Sequence, residues 1–434
     1  MHRRSHIPSD DPGQGDVSQL HAVATTGPRP RLLARTLGSL PLVAVSVLLV
    51  NATEPVLPAP TLLWRITPAR LVFLVGFAAL LASGVRLGDF RTRLDVPIGL
   101  LLVAAAASIL HGGFSPAPLQ VLVEDVALYY LTVGCLRRNP DALQGLSVAA
   151  FAAVTITAIV ALHQVSQHVN TTFCRAFFTD VPCAPGRLIR ATGTFSNPNV
   201  MAPDVLLLGP LAALVPGQVG DRWSRLALGG LLAAGYAGLV VTYSRGAYLG
   251  AVAAGGAVGL AMIYRRGAWR RAYTWALAIG AVLAAAAFGT GLVGRLGERN
   301  LIWSRAVALA RRHLATGVGV GHTRQALGTA HGVPLYHAHN LWLDWLLAAG
   351  VVGLIAIIAI TAVSLRAAIR SSLAGSPAAL ASLTGFYVVS LVDDPAYLHR
   401  IAATWWLVLA VTMAERPRSR RRGGLRRWPE LEPR

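Results

Sequence analysis

The sequence predicts an all-α, polytopic integral membrane protein with about 12 transmembrane helices, and three observations carry that expectation. Only 13% of the 434 residues are charged, 54% are hydrophobic and the mean hydropathy is +0.54. A soluble domain is about a quarter charged. Runs of about 20 apolar residues, the length that crosses a bilayer, recur along most of the chain. Arginine alternates between dense and sparse in successive connections. The composition excludes a disordered chain, a disulfide scaffold and an ordinary water-soluble enzyme.

Residues 1–37 are polar, with no apolar stretch of the kind a secretion signal carries, and are expected to form a disordered cytoplasmic tail. The transmembrane body spans 38–414, with expected helices near 38–54, 67–84, 96–111, 117–135, 144–163, 199–216, 226–243, 246–264, 272–292, 339–364, 375–392 and 399–414. Residues 415–434 form an Arg-rich tail, expected to be cytoplasmic and drawn to anionic lipid.

The net charge is +20 and every basic residue is Arg. No zinc-finger spacing, basic recognition helix or RNA-binding signature accompanies the charge, so no nucleic-acid partner is expected. With both termini inside, 26 of the 39 Arg fall on the inner side, as the positive-inside rule asks. The exceptions gather in two long outer loops, 164–198 and 293–338, and at Arg245 in a tight outer hairpin. All inner connections are short, so the chain is expected to work at its outer face, at the plasma (inner) membrane. Within the second loop, 301–314 can form an amphipathic helix at the interface.

Cys135 lies at the inner end of a span, whereas Cys174 and Cys183 share an outer loop, where an oxidising environment allows a disulfide. No Cys or His spacing suits a metal, and neither a metal nor another cofactor is expected.

Four polar patches interrupt the apolar pattern: Arg190-Ala-Thr-Gly-Thr-Phe-Ser-Asn-Pro-Asn199, Thr242-Tyr-Ser-Arg-Gly246, Gly317-Val-Gly-Val-Gly321, and His337-Ala-His-Asn-Leu-Trp-Leu-Asp344. The last runs on to Gly350-Val-Val-Gly353. In this order, with nine residues between His339-Asn340 and Gly350-Val-Val-Gly353, the chain resembles the O-antigen ligase and polymerase superfamily over about residues 185–365. The N-terminal third carries no diagnostic residue.

The resemblance implies transfer of a glycan from a polyprenyl-pyrophosphate carrier to a hydroxyl acceptor, a lipid or envelope glycan, at the outer face of the membrane. His339 matches the family's catalytic His and would act as general base. Arg245 and Arg190 would hold the pyrophosphate, with Arg305 as a further substrate-binding Arg, because a guanidinium stays charged and its planar fork fits phosphate oxygens. One displacement without a covalent intermediate would invert the anomeric centre.

Asn340, His337, Asn197, Asn199, Ser244 and Gly319 complete the candidate substrate-binding set. Several have plainer readings. Asn197-Pro198-Asn199 is also a helix-start device. Gly317, Gly319 and Gly321 make either an anion nest or a tight turn. Arg245 either binds phosphate or snorkels to headgroups. Asp344 falls one turn after Asn340, and Asp393-Asp394 is either at the site or solvated.

Three function classes compete: a ligase or polymerase, differing only in acceptor; a flippase or transporter of lipid-linked glycan; and a non-catalytic scaffold. A flippase should line a central cavity with charge, whereas here the spans are nearly charge-free. A scaffold has no use for His339 and the arginines in this order.

Overall fold

A computed structural model describes residues 68–82, 84–112, 116–176, 179–265, 292–330, 333–371 and 375–414. The expected span 38–54, nearly all of 272–292 and both tails lie outside the described residues.

The described chain is a helical membrane bundle. In order it runs α1 (Pro68–Ala82), α2 (Asp95–Gly112), α3 (Pro116–Arg138), α4 (Ala142–Ser166), a small sheet of β1 (Cys174–Ala176), β2 (Thr179–Val181) and β3 (Leu188–Ile189), then α5 (Pro198–Ala212), α6 (Arg222–Val240) and α7 (Arg245–Arg265). After the undescribed stretch come α8 (Leu292–Arg312), the short α9 (Thr323–Leu327), a β4–β5 pair (Thr329–Ala330 and Val333–Pro334), α10 (Leu341–Arg370), α11 (Ser376–Ser390) and α12 (His399–Met413). Among the described residues, five helical stretches are long and apolar enough to cross a membrane: Ala117–Arg138, Ala142–Ser166, Pro198–Gln218, Arg245–Tyr264 and Leu341–Arg370. Helix α8 starts nine residues before the expected amphipathic segment 301–314 and stops two short of it.

The bundle packs as lipid-solvated helices do, through small residues that let backbones close up. Gly250 of α7 faces Gly385 of α11 so tightly that a Cβ at 250 would meet Gly385 O at 2.7 Å. Gly238 of α6 meets the Ala158 backbone of α4 in the same way, at 3.0 Å. Ser382 Oγ donates to Leu207 O at 2.7 Å, tying α11 to α5. Trp405 and Trp406 of α12 are fully buried with Phe386 and Tyr129. Other faces leave Val103, Ile159 and Ile355 more than half exposed, which suits a hydrocarbon solvent.

Arg137, near the end of α3, clasps one end of the bundle. It donates to Asp89 O, Arg91 O, Met413 O and Ala414 O at 2.7–3.1 Å, joining the α1–α2 connection to the end of α12.

Two features shape the opposite, polar end. Cys174 and Cys183 form a disulfide with Cα atoms 5.0 Å apart, closing the loop over the antiparallel order β2-β1-β3. Helix α10 is broken at Gly350, with φ +69° and ψ −164°. Into that break docks the loop 314–319: Val318 N–H donates to Leu347 O, Gly319 N–H to Ala348 O, and Val351 N–H to Leu314 O, at 2.7–3.1 Å. The exchange satisfies backbone groups that the interrupted helix would leave bare. It also explains the glycines, since a Cβ at Gly350 would meet Ala315 O at 2.5 Å and one at Gly317 would meet Leu347 O at 2.5 Å.

Candidate active site

The site is built on the turn that enters α10. Asn340 caps the helix, its Oδ1 accepting Leu343 N–H at 2.9 Å, as Asn at a helix start commonly does. Its Nδ2 donates to Leu391 O at 2.9 Å, which staples the turn to the loop after α11. Ala338 is held at both backbone groups: its N–H donates to Asp344 Oδ1 at 2.6 Å and its C=O accepts from Trp303 Nε1 of α8 at 2.9 Å. His339 then takes a left-handed conformation, φ +52°, rare outside glycine. Anchors from two helices hold this costly backbone geometry in place.

That conformation sets His339 Nδ1 at 2.9 Å from Asp393 Oδ1. Burial pushes the Asp393 carboxyl up, but the hydrogen bond with His339 and the charges of His339, Arg299 and His337 outweigh it, leaving the group below the usual carboxylate range. An ionised carboxylate can only accept, so Nδ1–H donates, and in the neutral imidazole Nε2 then carries the lone pair. The His339 side chain is 34% exposed, open to a substrate. His337 lies against it, ring centroids 4.1 Å apart, and stacks on Tyr397 at 4.8 Å. Its Nδ1 accepts the His339 N–H at 3.3 Å and lies 3.7 Å from Asp344 Oδ2. Asp394, buried beneath and hydrogen-bonded to Asp344, is raised well above the usual carboxylate range by burial and then by the charge of Asp344.

The arginines gather beside this turn. Arg190 is buried; its Nε donates to Thr242 O at 3.0 Å and an Nη to Asn199 Oδ1 at 2.7 Å. Arg175, adjoining the disulfide, lies over the Tyr243 ring, 5.4 Å from its centre. Tyr243 is left-handed too, φ +51°, in the turn that precedes Arg245, the first residue of α7. The next residue, Gly246, lies against Val392, where a Cβ would meet Cγ2 at 3.3 Å, so the start of α7 abuts the loop carrying Asp393. The positive end of the α7 dipole therefore adds to the arginine charge.

The remaining sequence candidates sort as follows. Asn197 is the α5 N-cap, accepting Asn199 N–H at 2.8 Å, and Asn199 orients Arg190. Ser244 is buried, its N–H on Thr242 Oγ1 at 3.2 Å. Gly319 spends its N–H on Ala348 rather than on an anion nest. Arg305 is exposed and donates to Thr329 O at 2.6 Å, whereas Arg299 of the same helix acts on Asp393. Sequence reasoning left Asp393 undecided between site and solvent, and it passed over Arg299, Arg175 and Tyr397. Asp393 is 54 residues from His339. Its one signal was an acidic pair at an outer helix end.

One ligand atom each from His337, His339 and Asp393 lies within 4.8 Å of the others, the one such cluster among the described residues able to take a cation. The two His share the turn into α10, but Asp393 comes from the loop after α11, which is why no linear spacing revealed the cluster.

Residues 229–358 match the family described as O-antigen ligase. The match runs from the middle of α6 through the Tyr243 turn, α7, α8, the glycine loop and His339 into α10; Arg190 and Asp393 fall outside it. No curated protein matches the chain.

Proposed function

From its place in the O-antigen ligase superfamily, we propose that the chain transfers a glycan from a polyprenyl-pyrophosphate carrier to a hydroxyl acceptor at the outer face of the membrane, by one inverting displacement that needs no metal. The observation that carries this reading is the His339–Asp393 pair. It leaves Nε2 as an acceptor on the side where the start of α7, with Arg245, abuts the Asp393 loop and Arg190 holds the preceding turn.

In the step, the acceptor O–H gives its proton to His339 Nε2 as its oxygen bonds the anomeric carbon. The bond from that carbon to the phosphate oxygen breaks, and the electron pair leaves with the pyrophosphate. Arg245 and Arg190, with the α7 dipole, stabilise the growing charge. Asp393 keeps His339 in the reactive tautomer and favours the imidazolium that forms, as the carboxylate of a triad does. The donor is already activated, so no nucleotide is required.

The test uses purified protein in lipid nanodiscs with polyprenyl-pyrophosphate-linked glycan and an envelope extract. Release of polyprenyl pyrophosphate with enlargement of an acceptor supports the reading, and the enlarged species separates ligase from polymerase. Movement of the lipid-linked glycan across vesicles without any transfer would put a transporter in its place.

A further inference from the structure

The donor side of the candidate site is basic; the other side is not. Beyond His337, the Tyr397 ring presents one face to the imidazole, 4.8 Å away and 15° from parallel, and is 49% exposed. Two residues on, His399 opens α12 and turns towards α3, where its Nε2 lies 3.5 Å from Asp125 Oδ1. Asp125 is 3% exposed, and that oxygen has no hydrogen-bond partner. Glu124 stands beside it, accepting from Gln120 Nε2 at 3.0 Å on an exposed face, and its charge also reaches His399.

An ionisable group inside a membrane helix is expensive and is seldom retained without a use. Here two adjacent carboxylates lie on α3, and a half-exposed His and a half-exposed aromatic ring form a path from them to His337 and His339. The His399–Asp125 contact also ties α12 to α3, but the reaction step uses none of the four.

We infer that Tyr397, His399, Glu124 and Asp125 form the acceptor subsite, which takes a neutral, hydroxyl-rich sugar ring. The ring's C–H face lies on Tyr397, and its hydroxyls donate to Glu124 and exchange hydrogen bonds with His399, which the buried Asp125 orients from beneath. The inference rests on the transfer reading above. The chemistry divides the two substrates by charge. An anionic pyrophosphate is drawn to the Arg190–Arg245 side and repelled by Glu124, whereas a neutral glycan pays no such penalty. A sugar seated on Tyr397 lies next to the histidine pair, where its hydroxyl can reach His339.

The experiment is transfer kinetics in nanodiscs with octyl glucoside, octyl galactoside and octyl mannoside as acceptor probes, below their micelle concentrations. Tyr397→Leu, His399→Gln and the surface change Glu124→Gln are compared with wild type. Each should raise KM for the preferred glycoside about tenfold, the scale of one lost hydrogen bond to a charged group or one lost stacking contact, and leave donor KM unchanged. Glu124→Gln guards against misfolding, since the side chain is not in the core. Unchanged acceptor KM in all three, with wild type active, overturns the subsite and leaves the transfer reading standing. A rise in donor KM instead would assign these residues to the donor. No transfer by wild type to the glycosides or to envelope extract overturns both.

Discussion

Replacing Asp393 with Asn removes one charge and little else. The amide keeps an oxygen that can accept from His339 Nδ1, now 2.9 Å from the carboxylate, and from Asp394 N–H, also at 2.9 Å. What is lost is the ionic part of the bond and its hold on the imidazolium formed during transfer. A hydrogen bond to a charged group contributes about 1.5–3 kcal/mol. His339 is 34% exposed, so solvent screens part of this and the lower end applies. At about 1.5–2 kcal/mol, kcat should fall roughly 10- to 30-fold. Donor KM should not move, because Asp393 touches the base and not the pyrophosphate. The assay is single-turnover transfer in nanodiscs, with a melting curve to show that the variant is folded. A folded Asp393→Asn enzyme with wild-type kcat would refute the role given to this carboxylate.

Three further outcomes follow from the same geometry. Asp394 has its folded-state pKa raised by burial and by Asp344; such a group stabilises the fold fully below the ordinary carboxylate pKa, about 3.9, and loses that stability as pH rises towards the folded value. Asp394→Asn, which retains a donor for Asp344, should therefore melt higher than wild type by a margin that grows with pH and vanishes below about pH 4; a pH series of melting curves checks this. Gly350→Ala should lower stability by about 1–3 kcal/mol, read as a drop in melting temperature, because φ is +69° and the new Cβ would meet Ala315 O at 2.5 Å. Chelators should leave transfer unchanged, since Nδ1 of His339 is already used by Asp393; loss of activity restored by one added divalent cation would instead make His337, His339 and Asp393 its ligands.

The helical membrane class was legible because hydropathy is a sum over many residues and tolerates local error. One boundary at a capping residue was also legible: Asn197 was read as a helix start and does cap, whereas Asn340, read only as a substrate-binding residue, proves to cap α10 as well. The break at Gly350 was not. Its motif was visible, but the reason lies in the loop around Leu314–Gly319, which docks there through backbone hydrogen bonds that no side-chain pattern encodes.

The site divides in the same way. His339 and the two arginine patches stand out because a polar residue at the end of an apolar run is conspicuous. Asp393 was seen but could not be paired, since only the fold brings the α11–α12 loop beside the start of α10. Arg299 and Arg305 share one helix, and sequence spacing does not say which of them meets the site; the charge of Arg299 reaches Asp393, whereas Arg305 is spent on Thr329 O. Gly319 was read as part of either an anion nest or a tight turn because glycines alternate at 317, 319 and 321, yet its N–H is needed to complete α10.

The central claim is that His339 removes the acceptor proton. Its most direct test is the single-turnover transfer rate of His339→Ala, with binding of the lipid-linked donor measured alongside. The account predicts donor binding like that of wild type and a transfer rate lower by about 10²- to 10⁴-fold, the usual share of a general base. A His339→Ala protein that transfers glycan at the wild-type rate would contradict it.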